Sequence, residues 1–210
     1  MNTRESYDRV ADEYTVRVAG ELAHKPFDRA RLDELVDRAA GLGPLLDLGC
    51  GPGHVAAYLA GRSAPVTGID LSPAMIAQAR ALHPDLDLRV GDITELDVPG
   101  ATFGGIACFY AVIHVPRARV TGALRGMREA LVPGGWLLLA YHLGNEIRHL
   151  DEWWGRPVDV DFVFFRSHDI EGYARAAGFV EVTTEEREPY APEVEAQTRR
   201  GYTWARRPPE

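Results

Sequence analysis

Three glycines at alternate positions constrain this chain more than any other feature. Gly49, Gly51 and Gly53 stand directly behind the apolar run Pro44-Leu45-Leu46-Asp47-Leu48. An apolar run of that length between turn residues reads as a buried strand. The glycines turn the chain sharply, and Val55, Tyr58 and Leu59 then share one face of a helix. Strand, glycine turn and helix form the unit with which an open α/β sheet holds a nucleotide-like ligand. The spacing narrows the ligand. A dinucleotide fingerprint places its last glycine at the sixth position, and His54 stands there instead. The missing side chains at Gly49 and Gly51 let backbone approach a ligand closely. A tight turn alone needs such a triplet too. The second cue is Asp70, 21 residues after Gly49, which closes the next apolar run, residues 64–70. A carboxylate there can accept both hydrogen bonds of a ribose diol.

The rest of the chain continues the alternation. Residues 4–40 read as helical, with Tyr7, Val10, Ala11 and Tyr14 on one stripe and Leu32, Leu35, Val36 and Ala39 on another. Ser72 suits an N-cap and Pro73 the first helical position, with His83-Pro84 as the stop. Residues 86–90 read as a third strand closed by Gly91-Asp92-Ile93, and residues 103–110 as a fourth. Tyr110 and His114 follow at a strand end that faces the ligand crevice. Val120, Leu124, Met127 and Leu131 mark a helix, and Pro133-Gly134-Gly135 turns into a fifth strand, residues 136–141. Residues 142–166 differ in character, being dense in aromatics, histidine and arginine. Substrate binding is expected there, at His142, Arg148, Trp153, Trp154 and Phe165; a hydrophobic flap packed on the sheet is the structural alternative. Ser167 can cap a helix ended by Gly178, and residues 179–187 and 198–206 read as two strands forming an antiparallel edge.

Residues 45–53 and 66–70, Gly91-Asp92-Ile93, residues 103–114 and 131–136 together resemble, in order, the class I S-adenosylmethionine-dependent methyltransferases of the small-molecule type. The resemblance implies an α/β fold: a Rossmann-like doubly wound sheet, mostly parallel with an antiparallel C-terminal strand, plus an N-terminal helical cap. It divides one domain into a cap over the cofactor (1–43), a cofactor-binding core (44–141), a substrate flap (142–166) and a C-terminal helix with strands (167–210). The implied cofactor is S-adenosyl-L-methionine. Its contacts would come from Asp47, Gly49, Cys50, Gly51, Gly53, Asp70, Leu71, Met75, Gly91, Phe109 and Tyr110. Asp92 would accept from the adenine amino group, and Ile93 would sandwich the ring. Tyr7 and Tyr14 would line the methionine end, with Lys25 a candidate partner for its carboxylate. The cofactor carries most of such chemistry. Positioning for in-line displacement is the protein's main share, with His114 and His142 as candidate general bases or substrate contacts. Two alternatives stand beside this reading: a non-catalytic protein that binds S-adenosylmethionine or S-adenosylhomocysteine, and an NAD(P)-dependent oxidoreductase, against which His54 argues.

Charge limits the partners. The formal net charge is −8 with signs mixed throughout, which argues against nucleic acid because phosphate binding needs a basic surface. A small-molecule substrate is expected, with the protein a monomer or homodimer. Lys25 is the only lysine, and Cys50 and Cys108 sit in or beside apolar strands, as small hydrophobes rather than a disulfide or metal pair. His142, Glu146 and His149 have suggestive spacing, but a structural role is expected and no metal. No apolar run has transmembrane length and the first residues read as no signal peptide; a cytoplasmic protein without membrane contact is expected.

Overall fold

The computed structural model describes residues 1–62 and 65–209. Ala64, which opens the run read as the second strand, and Glu210, at the end read as frayed, lie outside them. Among the described residues, seven strands form the main sheet. Their spatial order is β3 (Asp87–Val90), β2 (Val66–Asp70), β1 (Leu45–Leu48), β4 (Phe103–Phe109), β5 (Leu131–His142), β9 (Arg200–Arg206) and β8 (Val180–Arg187). β1 to β5 pair in parallel, and β9 runs antiparallel to both β5 and β8. The fold is therefore the mostly parallel, Rossmann-like sheet expected, with one antiparallel strand near its C-terminal edge.

Both faces are covered, which is why the central strands are mostly apolar, with Asp47 the charged exception inside β1. All four positions of β1 are buried. Along β5 the faces alternate. Leu138 and Ala140 pack with Leu32, Leu35 and Leu59 from α2 (Pro26–Ala39) and α3 (His54–Ala60). Leu137, Leu139 and Tyr141 pack with Val120, Leu124 and Ile170 from α5 (Arg117–Ala130) and α6 (Ser167–Ala176). The strand order reverses direction between β1 and β4, so a crevice opens at the carboxyl ends of these two strands. α4 (Pro73–Leu82) starts as expected: Ser72 Oγ accepts from Met75 N at 3.1 Å, and Pro73 occupies the first turn.

Several local readings are corrected. β5 begins at Leu131, which ends the preceding helix at Ala130, and Pro133-Gly134-Gly135 forms an irregularity within the strand pairing rather than a turn before it. Ser167 does not cap α6: the N-cap is Arg166, and the Ser167 hydroxyl donates to Glu186 at 2.5 Å. Residues 142–166 contain a two-stranded hairpin, β6 (Ile147–Trp153) and β7 (Arg156–Val163), separate from the main sheet.

The hairpin carries the N-terminal helix α1 (Thr3–Val18). Val10 is fully buried against Val158 and Val160 of β7. Ser6 Oγ accepts from Asp159 N at 2.9 Å, and Arg156 grips Asp12 through two bonds of 2.7 and 2.8 Å. On its other flank α1 is tied to α4: Asp8 Oδ1 accepts from Ser72 Oγ at 2.6 Å and from Ala74 N at 3.1 Å. α1 thus bridges from the hairpin to the edge of the crevice.

Candidate functional site

A cavity of about 480 Å³ lies at the carboxyl ends of β1, β2, β3 and β4. That is within the range of small-molecule sites, roughly 300–1,000 Å³. Its floor is the glycine turn. Gly49 and Gly51 both have positive φ, +73° and +51°. A Cβ on Gly49 would lie 2.2 Å from the Ala111 Cβ, so only glycine fits there. A Cβ on Gly51 would point toward the Tyr14 ring at 3.8 Å, so its absence leaves the backbone bare on the cavity side.

Asp70 ends β2 in the cavity wall. Gly51 N donates to its Oδ2 at 2.8 Å and Ser72 N to its Oδ1 at 2.8 Å. Each carboxylate oxygen keeps a further lone pair for a ligand. Burial pushes this carboxyl up, against the two N–H donors that favour its charge. Asp92, in the turn after β3, takes Thr94 N and Thr94 Oγ1 on its Oδ1, both at 2.7 Å. Ile93, Leu71 and Met75 add apolar surface between these two acids.

Aromatic residues close the other end. Tyr110 follows β4 with φ +57°, a conformation costly for a bulky residue. It lines the cavity with Phe109, Tyr14, Tyr7 and His114. Tyr7 OH and His114 Nε2 are 2.8 Å apart, and His114 Nδ1 lies 2.9 Å from the backbone carbonyl of Asp161. A carbonyl only accepts, so Nδ1 carries the proton and Nε2 accepts from Tyr7. Burial lowers His114 to about 4, more than the Asp161 carbonyl raises it.

A smaller annex of about 30 Å³ opens behind the glycine turn, lined by Asp47, Cys50, Glu21 and His54 among others. Asp47 is 1% exposed, and its Oδ2 has no hydrogen-bond partner among the described residues. Burial lifts this carboxyl to about 7. Glu21 behaves oppositely. Burial would raise it, but His54 at 3.4 Å and Lys25 at 2.8 Å hold it down to about 2.

The main cavity unites Tyr7, Tyr14, Gly49, Gly51, Asp70, Leu71, Met75, Asp92, Ile93, Phe109, Tyr110 and His114. Other expected residues stand elsewhere. Gly53 is the left-handed N-cap of α3, and Gly91 N donates to the Asp70 carbonyl at 2.9 Å. Lys25 is 4% exposed and bound to Glu21 at 2.8 Å and Glu195 at 3.8 Å. It belongs to a buried ion cluster with Asp28, Arg187 and Arg200, so its charge is already compensated. Phe165 is 0% exposed in the core against Tyr141, which corrects its assignment as a substrate contact. His142 stacks on Phe164 at 5.0 Å and bonds Thr198 Oγ1 at 2.8 Å, outside the cavity. Arg148 is exposed on β6, paired with Glu146 at 2.8 Å and lying over Phe164. Trp153 stands behind the tyrosines, 5.6 Å from the Tyr7 ring and 5.8 Å from the Tyr14 ring, with Trp154 stacked on it at 4.8 Å. His142, Glu146 and His149 hold no common centre, and no metal-binding group occurs among the described residues.

Sequence reading missed other lining residues: Asn2, Thr3 and Arg4 at the start of α1, and Thr94, Val115, Pro116 and Arg119. The capping box formed by Asn2 and Glu5 was a readable signal for where α1 starts. The resemblance implied a cap over the cofactor from residues 1–43 but did not single out these three residues.

Comparison with known proteins agrees with this geometry. The family model of a methyltransferase domain matches residues 45–135. A ubiquinone biosynthesis O-methyltransferase from Chromobacterium violaceum is 32% identical over 149 residues, 61% of this chain and 62% of that protein. An uncharacterized methyltransferase from Mycobacterium tuberculosis is 31% identical over 129 residues, 58% of this chain and 64% of its own length. The chain therefore spans less than two thirds of the curated relatives it matches. Among solved structures, a SAM-dependent methyltransferase from Methanosarcina mazei has a TM-score of 0.73 at 15% identity, covering 84% of this chain and 98% of that one. An amino pentose methyltransferase from Micromonospora echinaspora, solved with SAM bound, has a TM-score of 0.63 at 24% identity, covering 86% and 90%. At these identities the structural likeness establishes the fold.

Proposed function

We propose that the chain, whose residues 45–135 match a methyltransferase domain, is a class I S-adenosylmethionine-dependent methyltransferase that transfers a methyl group to a small-molecule acceptor. One observation carries the reading: a bare glycine turn, a carboxylate ending β2 and an acid after β3 converge on one cavity at the strand ends. The donor set suits the cofactor. Asp70 has lone pairs left for two ribose hydroxyls after Gly51 and Ser72 have donated. Asp92 has Oδ2 available for an exocyclic amino group, since Thr94 uses Oδ1. Ile93, Leu71 and Met75 flank a flat ring with apolar surface. The unpartnered Oδ2 of Asp47 suits an ammonium at the annex.

When bound, S-adenosylmethionine supplies a methyl group already activated by a positively charged sulfur. The chain's residues bind, orient and exclude water. Phe109, Tyr110 and Tyr14 wall off the reacting end, and α1 covers one side. Holding two reactants in near-attack geometry is worth up to about 7–11 kcal/mol of barrier. The acidic net charge of −8 supports a small molecule over a nucleic acid as acceptor. Two free, buried cysteines suit a reducing cytoplasm.

Calorimetric titration with S-adenosylhomocysteine tests the reading, with NADH as the control. Micromolar binding of the first alone is expected. Binding of NADH alone would replace the reading with nucleotide-dependent redox chemistry. Binding without methyl transfer across acceptor classes would favour a non-catalytic binding protein.

A further inference from the structure

The Tyr7–His114 pair is more than packing. It joins three separate stretches of chain: α1, the turn after β4, and β7. The Asp161 carbonyl holds the His114 proton on Nδ1, and the bare Nε2 holds the Tyr7 hydroxyl proton at a 2.8 Å contact. Both rings line the cavity. Tyr7 donates in this arrangement, so the lone pairs of its oxygen stay open to a donor in the cavity. The rings packed on the pair are uncharged: Tyr14 and Trp153 against Tyr7, Phe162 against His114. The charged groups that act on the pair are Asp70 in the cavity wall and Asp161, whose side chain is bonded to His149 on the hairpin; Arg4 and Arg119 line the same cavity.

We propose that Tyr7 and His114 form a two-step proton acceptor for the acceptor substrate, and that this substrate is therefore a neutral hydroxyl compound. The inference rests on the methyltransferase reading and names its acceptor class. The acceptor O–H donates to the Tyr7 oxygen. As the acceptor oxygen bonds to the methyl carbon, the carbon–sulfur pair withdraws to sulfur. The acceptor's proton passes to Tyr7, and Tyr7 passes its own to His114 Nε2. The positive charge lost at sulfur reappears on the imidazolium, so the buried site carries the same net charge before and after. The Asp161 carbonyl steadies that imidazolium through Nδ1–H, and the proton leaves to water when the site opens. Burial raises the Tyr7 hydroxyl well above its ordinary value, so Tyr7 works as a relay and not as a stored phenolate. A hydroxyl needs this help most. A neutral amine attacks with its own lone pair and loses its proton afterwards, and a thiol ionises readily.

The test uses the full chain saturated with S-adenosylhomocysteine, as wild type, Tyr7→Phe and His114→Asn. Nitrogen-15 NMR of the imidazole is expected to find the His114 proton on Nδ1 in the wild type, with the Nε2 signal moved in Tyr7→Phe. A proton on Nε2 overturns the relay. Methyl transfer to phenols of graded acidity, with matched anilines and thiols, is the second readout. Each variant is expected to lose about 10²-fold or more in kcat on weakly acidic phenols, and the double variant no more than either single one. The loss shrinks on nitrophenols that are already ionised. An equal loss across the phenol series marks a structural role and overturns the proposal. A wild type that methylates anilines or thiols, or nothing, but no phenol overturns the hydroxyl class. Calorimetry with S-adenosylhomocysteine on the same proteins separates the two readings. Wild-type binding with the wrong tautomer sinks the relay alone, whereas no wild-type binding sinks the methyltransferase reading itself.

Discussion

Asp47→Asn is the substitution whose outcome follows most directly from the structure. Asp47 lies within a fully buried four-residue strand, is 1% exposed, and has an oxygen with no partner among the described residues. Burial lifts its carboxyl from 3.8 to about 7, and His54 offsets only part of that. The folded state therefore keeps a proton that the unfolded chain releases above about pH 3.8. Wherever the folded state binds more protons, stability falls as pH rises. The interval from 3.8 to about 7, at about 1.4 kcal/mol per decade of proton affinity, sets an upper bound of about 4 kcal/mol. Screening inside real proteins brings the expected cost to about 2–4 kcal/mol. Asparagine keeps the shape and does not titrate. In urea denaturation from pH 4 to pH 8, the wild type should lose stability relative to Asp47→Asn up to about pH 7, then run parallel to it. Above that point the variant should be the more stable protein, yet bind S-adenosylhomocysteine more weakly. Parallel curves throughout would refute the reasoning, because they would mean that the Asp47 carboxyl titrates as an ordinary solvated acid.

Three further outcomes are expected. Gly49→Ala places a Cβ 2.2 Å from the Ala111 Cβ at φ +73°, so denaturation should record a loss of about 2–4 kcal/mol; Ala111→Gly in the same chain should restore part of it, and a neutral single variant would mean that the turn relaxes freely. Asp70→Ala leaves the Gly51 and Ser72 N–H groups and the ligand hydroxyls without an acceptor, and calorimetry should find S-adenosylhomocysteine binding weaker by about 1–3 kcal/mol. His142→Asn removes a ring that stacks outside the cavity, so kcat on any accepted phenol should stay within about threefold of wild type; a loss as large as that of His114→Asn would return His142 to the reacting centre.

The glycine turn and the acids of the cavity were legible because backbone geometry makes its demands in residue type. Positive φ and close approach require glycine at 49 and 51, and strand ends in α/β sheets carry the acids at 70 and 92. The hairpin was not legible, for two physical reasons. β6 is exposed or half-buried at every position, so no alternation of apolar and polar residues announces it. Its turn has positive φ at both central residues, Trp154 at +54° and Gly155 at +75°, where Asn-Gly is the usual signal. A tryptophan in that place reads as substrate chemistry. The same density of aromatics drew Arg148 and Phe165 into the expected site, although one is paired on the surface and the other is sealed in the core. The Tyr7–His114 contact spans 107 residues of sequence, and no local pattern encodes it.

The ties of α1 have a consequence for timing. From Asn2 to Tyr14 the helix lies along the cavity for about 18 Å at 1.5 Å per residue. It is fastened on one side to the hairpin at Ser6 and Asp12 and on the other to α4 at Asp8. Loss of the Asp12–Arg156 pair would loosen α1 without touching an atom of the cavity floor. Asp12→Asn should therefore speed the release of a cavity-bound ligand in stopped-flow measurements, and an unchanged rate would mean that ligands leave without moving the helix.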